Sequence, residues 1–128
     1  MTAETDLIAE GKPVDYIFFP GDPLFVSHGE FRLENRTARA MICLVHSAHF
    51  VDNDTRIPLD IFHLYAGDRP LGKQISIAPA SELNFRIAFP ARAVSAGVKL
   101  KYGVRLSLQC NGGGREVTSK LNVIREMS

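Results

Sequence analysis

The chain has 128 residues, of which 15 are basic and 14 acidic, for a formal charge of +1. That length favours one domain, and a domain of this size buries roughly two-thirds of its unfolded surface without needing a metal or a disulfide. The near-neutral balance points away from nucleic acid and from an electrostatically held membrane surface as partners.

The N-terminal MTAETDLIAEGKPVD is polar and acidic and lacks a signal h-region. No apolar run approaches the roughly 20 residues of a membrane span. These features place the protein in the cytoplasm, and in that compartment Asn35-Arg36-Thr37 is a turn rather than a glycosylation site. Residues 1–12 read as an N-terminal appendage, either one or two helical turns over TAETDLIAE or a disordered tail. Gly11 would be the stop and Pro13 the breaker. A single β domain then covers 13–128.

After Pro13 the apolar period becomes two. VDYIFFP, 14–20, has apolar residues on both faces, Val14, Tyr16 and Phe18 against Ile17 and Phe19. PLFVSHGEFRLE, 23–34, is extended, with a bulge expected at Gly29, and Asn35-Arg36-Thr37 turns the chain. RAMICLVHSAHF, 39–50, reads as a central strand covered on both faces over 41–45. Asp52-Asn53-Asp54 is a second turn, IPLDIFHLYA, 57–66, another strand, and KQISIAP, 73–79, a short one. ELNFRIAFP, 82–90, sends Leu83, Phe85, Ile87 and Phe89 inward and Glu82, Asn84 and Arg86 outward.

The clearest strand is VKLKYGVRLSLQC, 98–110. Val98, Leu100, Tyr102, Val104, Leu106, Leu108 and Cys110 alternate with Lys99, Lys101, Gly103, Arg105, Ser107 and Gln109. Asn111-Gly112-Gly113-Gly114 supplies a hairpin loop before EVTSKLNVI, 116–124. About seven strands separated by turns, with little helix, predict an all-β, antiparallel, immunoglobulin-like sandwich.

The pair Cys43 and Cys110 resembles in position the two cysteines that bridge the sheets of immunoglobulin domains. The tyrosine expected two residues before the second cysteine is Leu108 here, and the chain has no Trp. FRLENRTARAMICLVHSAHF followed by QISIAPASELNFRIAFP resembles more loosely the paired strands of immunoglobulin-like sandwiches of the major sperm protein type, over about residues 23–125. The likeness is one of architecture and implies no functional residue. With the cytoplasm as compartment, Cys43 and Cys110 are expected as reduced thiols, buried close together between the sheets.

Candidate chemistry is sparse. The alternative function, a metal- or thiol-dependent enzyme, would use Cys43 with His46, His49 or His63, with His28 as a further candidate ligand. No zinc-type spacing is present, and strand parity sets His46 and His49 on opposite faces unless a bulge intervenes. No nucleophile elbow or paired carboxylate site appears. Asp52 and Asp54, like Asp60 and Asp68, sit in turn-like segments. The expectation is therefore no cofactor, no metal and no catalytic residue. The leading function is a non-catalytic protein-binding or assembly module that docks onto another protein or onto itself. Tyr16, Phe18 and Phe19 are its candidate partner-binding residues, because a terminal strand has few neighbours to cover two apolar faces. A second candidate surface, for an anionic ligand, is the row Lys99, Lys101 and Arg105 joined by Lys120 of the next strand. Without interleaved aromatics it is not a nucleic-acid surface.

Overall fold

The computed structural model describes residues 6–19, 21, 23–94, 101–111 and 113–125. Among them there is no helix. Eleven strands, β1 (Leu7–Lys12), β2 (Val14–Phe18), β3 (Leu24–Asn35), β4 (Met41–Asp52), β5 (Thr55–Pro58), β6 (His63–Ala66), β7 (Arg69–Leu71), β8 (Gln74–Ile77), β9 (Ser81–Val94), β10 (Tyr102–Cys110) and β11 (Gly113–Arg125), follow in chain order.

They form two sheets packed face to face. The first has the order β1-β3-β9-β6-β7. The second has the order β2-β11-β10-β4-β5, with β8 beside the other half of β4. All pairs are antiparallel except β2 with β11. This is the all-β, immunoglobulin-like sandwich expected from the alternation.

Inward residues of the two sheets make one core. Phe31, Leu33, Phe85, Ile87 and Phe89 come from the first, and Val45, Phe50, Val104, Leu106 and Leu108 from the second; all are buried. Phe50 joins the layers, with its ring 6.3 Å from Phe89 across the interior and 5.9 Å from Tyr102 within its own sheet. The alternation read along β10 and β9 holds: Val104, Leu106 and Leu108 are buried, whereas Gln109, Glu82 and Asn84 are exposed. Residues 95–100, the first part of the expected 98–110 strand, lie outside the described residues.

Four local readings differ. Residues 7–12 are a strand, not helical turns, because β1 pairs with β3 along its whole length from Leu7↔Asn35 to Lys12↔Glu30. Gly11 is there for space rather than as a stop: a Cβ would collide with the Thr118 carbonyl of β11. Pro13 marks the crossing from the first sheet to the second. The 57–66 segment is not one strand but two in different sheets, β5 and β6, with the chain crossing over at 59–62. The irregularity expected at Gly29 lies between Val26 and His28; Gly29 itself is paired with Ile87 and sits against Val104.

Polar side chains stitch the layers together. Ser119, fully buried in β11, donates to the Lys12 carbonyl at 2.7 Å and accepts from the Glu30 amide at 3.0 Å. Arg115 donates to the Leu7 carbonyl at 2.7 Å. Asn35 is 1 % exposed and donates to the carbonyls of Arg39, Ile77 and Ala78. Its amide thus serves as a structural clamp, and a glycan on Nδ2 would be incompatible with these hydrogen bonds.

Candidate functional site

The thiols settle first. Strand order places β4 beside β10, and the register sets Cys43 directly opposite Cys110 on the inner face. The two are joined as a disulfide, and neither cysteine is free. The bond lies within one sheet rather than between the two. This overturns the expectation of reduced thiols. It also overturns the cytoplasmic assignment, because structural disulfides persist in oxidising, extracytoplasmic compartments and are rare where glutathione and thioredoxin act. Cys43 is accordingly neither a thiolate ligand nor a nucleophile.

The histidines disperse for a different reason. In β4 the pairing with β10 slips between Ser107 and Leu108, so Ser47 faces Ser107 while Val45 faces Leu108. His46 is the inserted residue of a bulge. Beyond it the parity of β4 flips: Met41, Cys43 and Val45 are buried before it, Ala48 and Phe50 after it. His46 and His49 therefore share the outer face, contrary to simple parity. Even so, His63 belongs to β6 of the other sheet, and His28 to β3, where its Nδ1 is 2.9 Å from the Tyr16 hydroxyl. Among the described residues no group of three or more His, Cys, Asp and Glu side chains could hold a metal ion. The Asp52–Asp54 turn is built by Asn53, whose amide donates to the Lys101 carbonyl and whose Oδ1 accepts from the Lys101 amide.

The candidate partner-binding residues separate by parity. Val14 and Tyr16 point inward; the Tyr16 hydroxyl donates to the His28 carbonyl and accepts from the amides of Ser27 and His28. Ile17 and Phe19 point outward, 61 % and 54 % exposed. The side chain of Phe18 lies outside the described ones. Beside Ile17 in the parallel ladder is Ile124 of β11, itself 41 % exposed. Sequence reasoning left Ile17 and Ile124 out of the site. Parity from a buried Val14 would have found Ile17, but Ile124 depends on the β2–β11 pairing, which no local pattern announces. β4 also differs from its reading. Ile42 and Leu44, expected to be covered, are exposed on the same outer face, because among the described residues only the inner face of the second sheet has a layer against it.

The cationic row is only partly assembled. Lys99 lies outside the described residues. Lys101 and Lys120 are exposed, and Lys120 stands opposite Gly103. Arg105 faces them already engaged: its Nε donates to Thr118 Oγ1 at 3.1 Å, and its Nη1 is 3.7 Å from Glu116. On the first sheet's outer face, Arg32 holds three carboxylates, Glu10 at 2.9 Å, Glu34 at 3.2 Å and Glu82 at 2.7 Å. The hydrogen bond from Arg32 holds the Glu82 carboxyl below the usual carboxylate range, and the same bond raises Arg32. The first sheet's outer face gathers its ion pairs around Arg32, whereas the second bears exposed Ile17, Ile42, Leu44 and Ile124 beside the Arg105–Glu116 pair.

No protein-family model matches the chain, and no curated protein matches it. Solved structures do. The chain is similar to a chain of the E. coli chaperone DraB, at 11 % identity and a TM-score of 0.51, over 93 % of this chain and 54 % of that one. It is similar to the ASH/PapD-like domain 7 of human CEP192, at 10 % identity and a TM-score of 0.50, over 99 % and 91 %. The architecture is an immunoglobulin-like, PapD-like β-sandwich. A family 123 glycoside hydrolase from Clostridium perfringens contains a similar region, at 9 % identity and a TM-score of 0.53, over 95 % of this chain but 28 % of that one. The PapD-like sandwich described here therefore spans about half of the chaperone and under a third of the hydrolase, and at these identities the likeness is one of fold.

Proposed function

We propose that the protein is a non-catalytic protein-binding or assembly module whose docking surface is the outer side of β2, and that it associates with a second copy of itself there. The observation that carries this reading is the exposure of Ile17 and Phe19, 61 % and 54 %, on the edge strand of the second sheet, next to Ile124. An edge strand offers unpaired backbone groups to another strand, and an apolar patch beside it gives that pairing hydrophobic surface to bury. Tyr16 contributes by holding β2 in place rather than by touching the partner. The chaperone among the similar structures lends support at the level of fold only. The Lys101, Arg105 and Lys120 face supports an anionic partner less well, since Arg105 is engaged by Glu116 and Thr118.

Light scattering at micromolar concentration tests the reading. The expected result is a dimer that Ile17→Asp or Phe19→Asp converts to monomer while circular dichroism stays β-like. A wild-type monomer would overturn self-association.

A further inference from the structure

On the outer face of the first sheet, one row of side chains runs across neighbouring strands: Lys12 opposite Glu30, Glu30 opposite Arg86, Arg86 opposite Tyr65. Residues directly opposite in antiparallel pairs share a face, about 4.8 Å apart from strand to strand. The row lines an open hollow of about 200 Å³ that Asn84 and Gly67 of the β6–β7 turn also border. All four side chains are half-buried, so a charge placed among them is screened less than on open surface.

The row differs from its neighbour in how its charges are spent. One row over, Arg32 is saturated by Glu10, Glu34 and Glu82. In this row no ion pair joins Lys12, Glu30 and Arg86 to each other or to any other described residue. Arg86 is instead held from one side, its guanidinium 4.7 Å over the Tyr65 ring. A cation over a ring satisfies none of the guanidinium N–H donors, which are the groups that fork onto a carboxylate. The hollow thus presents three charges in the order positive, negative, positive, with the cation at one end pre-oriented.

We propose that this hollow binds a free acidic α-amino acid. Such a ligand carries carboxylate, ammonium and carboxylate along its length. One carboxylate takes the fork of Arg86, the ammonium takes Glu30, and the second carboxylate takes Lys12. The size agrees, since pockets for drug-sized ligands run to about 300–1,000 Å³ and this hollow of about 200 Å³ matches a smaller molecule. The inference does not rest on the docking surface of β2, which belongs to the other sheet.

An NMR titration of the full chain with L-glutamate tests it, with glutarate, which lacks the ammonium, as the comparison. The expected result is a saturable millimolar shift of the backbone amides of Lys12, Glu30, Asn84 and Arg86, with glutarate several-fold weaker. Arg86→Gln should weaken glutamate by about tenfold, the loss of one charge-assisted contact, and Lys12→Gln repeats the test where Arg86→Gln disturbs the spectrum. Glu30→Gln should abolish the preference over glutarate. A tripeptide beginning with Glu, whose first residue has no α-carboxylate for Lys12, should bind several-fold more weakly than free glutamate. Absence of a saturable shift with glutamate, or equal binding of glutamate and glutarate, overturns the proposal.

Discussion

The Tyr16 hydroxyl lies 2.9 Å from His28 Nδ1, 3.1 Å from the His28 amide and 3.2 Å from the Ser27 amide, and donates to the His28 carbonyl at 3.0 Å. One phenol of the second sheet thereby serves an irregular stretch of β3 in the first. Successive amides of a regular strand point to opposite edges; here both turn toward one oxygen, at the place where the β3–β9 register shifts. Tyr16→Phe keeps the ring and removes the oxygen, leaving two part-buried amides without it. A loss of about 1–3 kcal/mol follows from leaving such groups unsatisfied. Urea denaturation would measure it, and a change within error would mean that water replaces the hydroxyl without penalty.

Ser119 makes a second test of the same kind. It is fully buried and bonds the backbones of β1 and β3 from β11. Ser119→Ala should lower stability by about 1–3 kcal/mol. Ser119→Val should do at least as much harm, since its extra methyl would crowd Gly29, whose own built Cβ would lie 3.3 Å from the Ser119 Cβ. Thermal melts of the two variants give the order.

The disulfide joins residues 67 apart in sequence. Closing a loop of that length in the unfolded chain stabilises the folded one by about 4 kcal/mol on chain-entropy grounds. Alkylation of the denatured, unreduced protein should find no free thiol. The Cys43→Ala, Cys110→Ala pair should unfold at clearly lower denaturant than the wild type. Two free thiols per chain in protein purified from an oxidising compartment would contradict the structure.

The Arg32 cluster sets an acid limb. Glu82 has a depressed pKa because Arg32 bonds its ionised form. A depressed carboxyl contributes stability above its unfolded pKa and loses it as pH falls through the lower, folded value. Glu82→Gln should therefore lower stability slightly at neutral pH, an effect kept small by solvent exposure, and by progressively less as pH falls below the ordinary carboxylate range, so that its acid limb is the shallower one. Denaturation curves at a series of acid pH values check this. An acid limb identical in both proteins would assign it to other carboxylates.

Much of the sandwich could be read along single strands. The alternation through Val104, Leu106 and Leu108, or through Phe85, Ile87 and Phe89, reports burial because each strand has one wet and one dry face. What could not be read depends on partners distant in sequence. Leu7–Lys12 becomes a strand only because β3 lies beside it. Cys43 meets Cys110 only because β4 is the neighbour of β10, and no local pattern gives strand order. The flip at His46 inserts one residue into HSAHF without any glycine or proline to mark it, so parity failed for His49 while holding for Cys43. The exposed residues of the candidate surface were half legible: Phe19 was named and is exposed, Ile17 was seen but not chosen, and Ile124 needed the parallel pairing of β2 with β11.

The cross-link between Cys43 and Cys110 also divides the chain into a ring and two arms. The ring holds the rest of β4 and β10 and everything between them, including β5 to β9, whereas β1, β2 and β3 precede it and β11 follows it. A single backbone cut inside the ring leaves both fragments tethered to each other through sulfur. A cut in either arm releases a piece held only by strand pairing. The edge strand with the exposed Ile17 and Phe19 belongs to an arm, so nicking there detaches it from the covalent ring, whereas nicking the β6–β7 turn leaves the molecule in one piece.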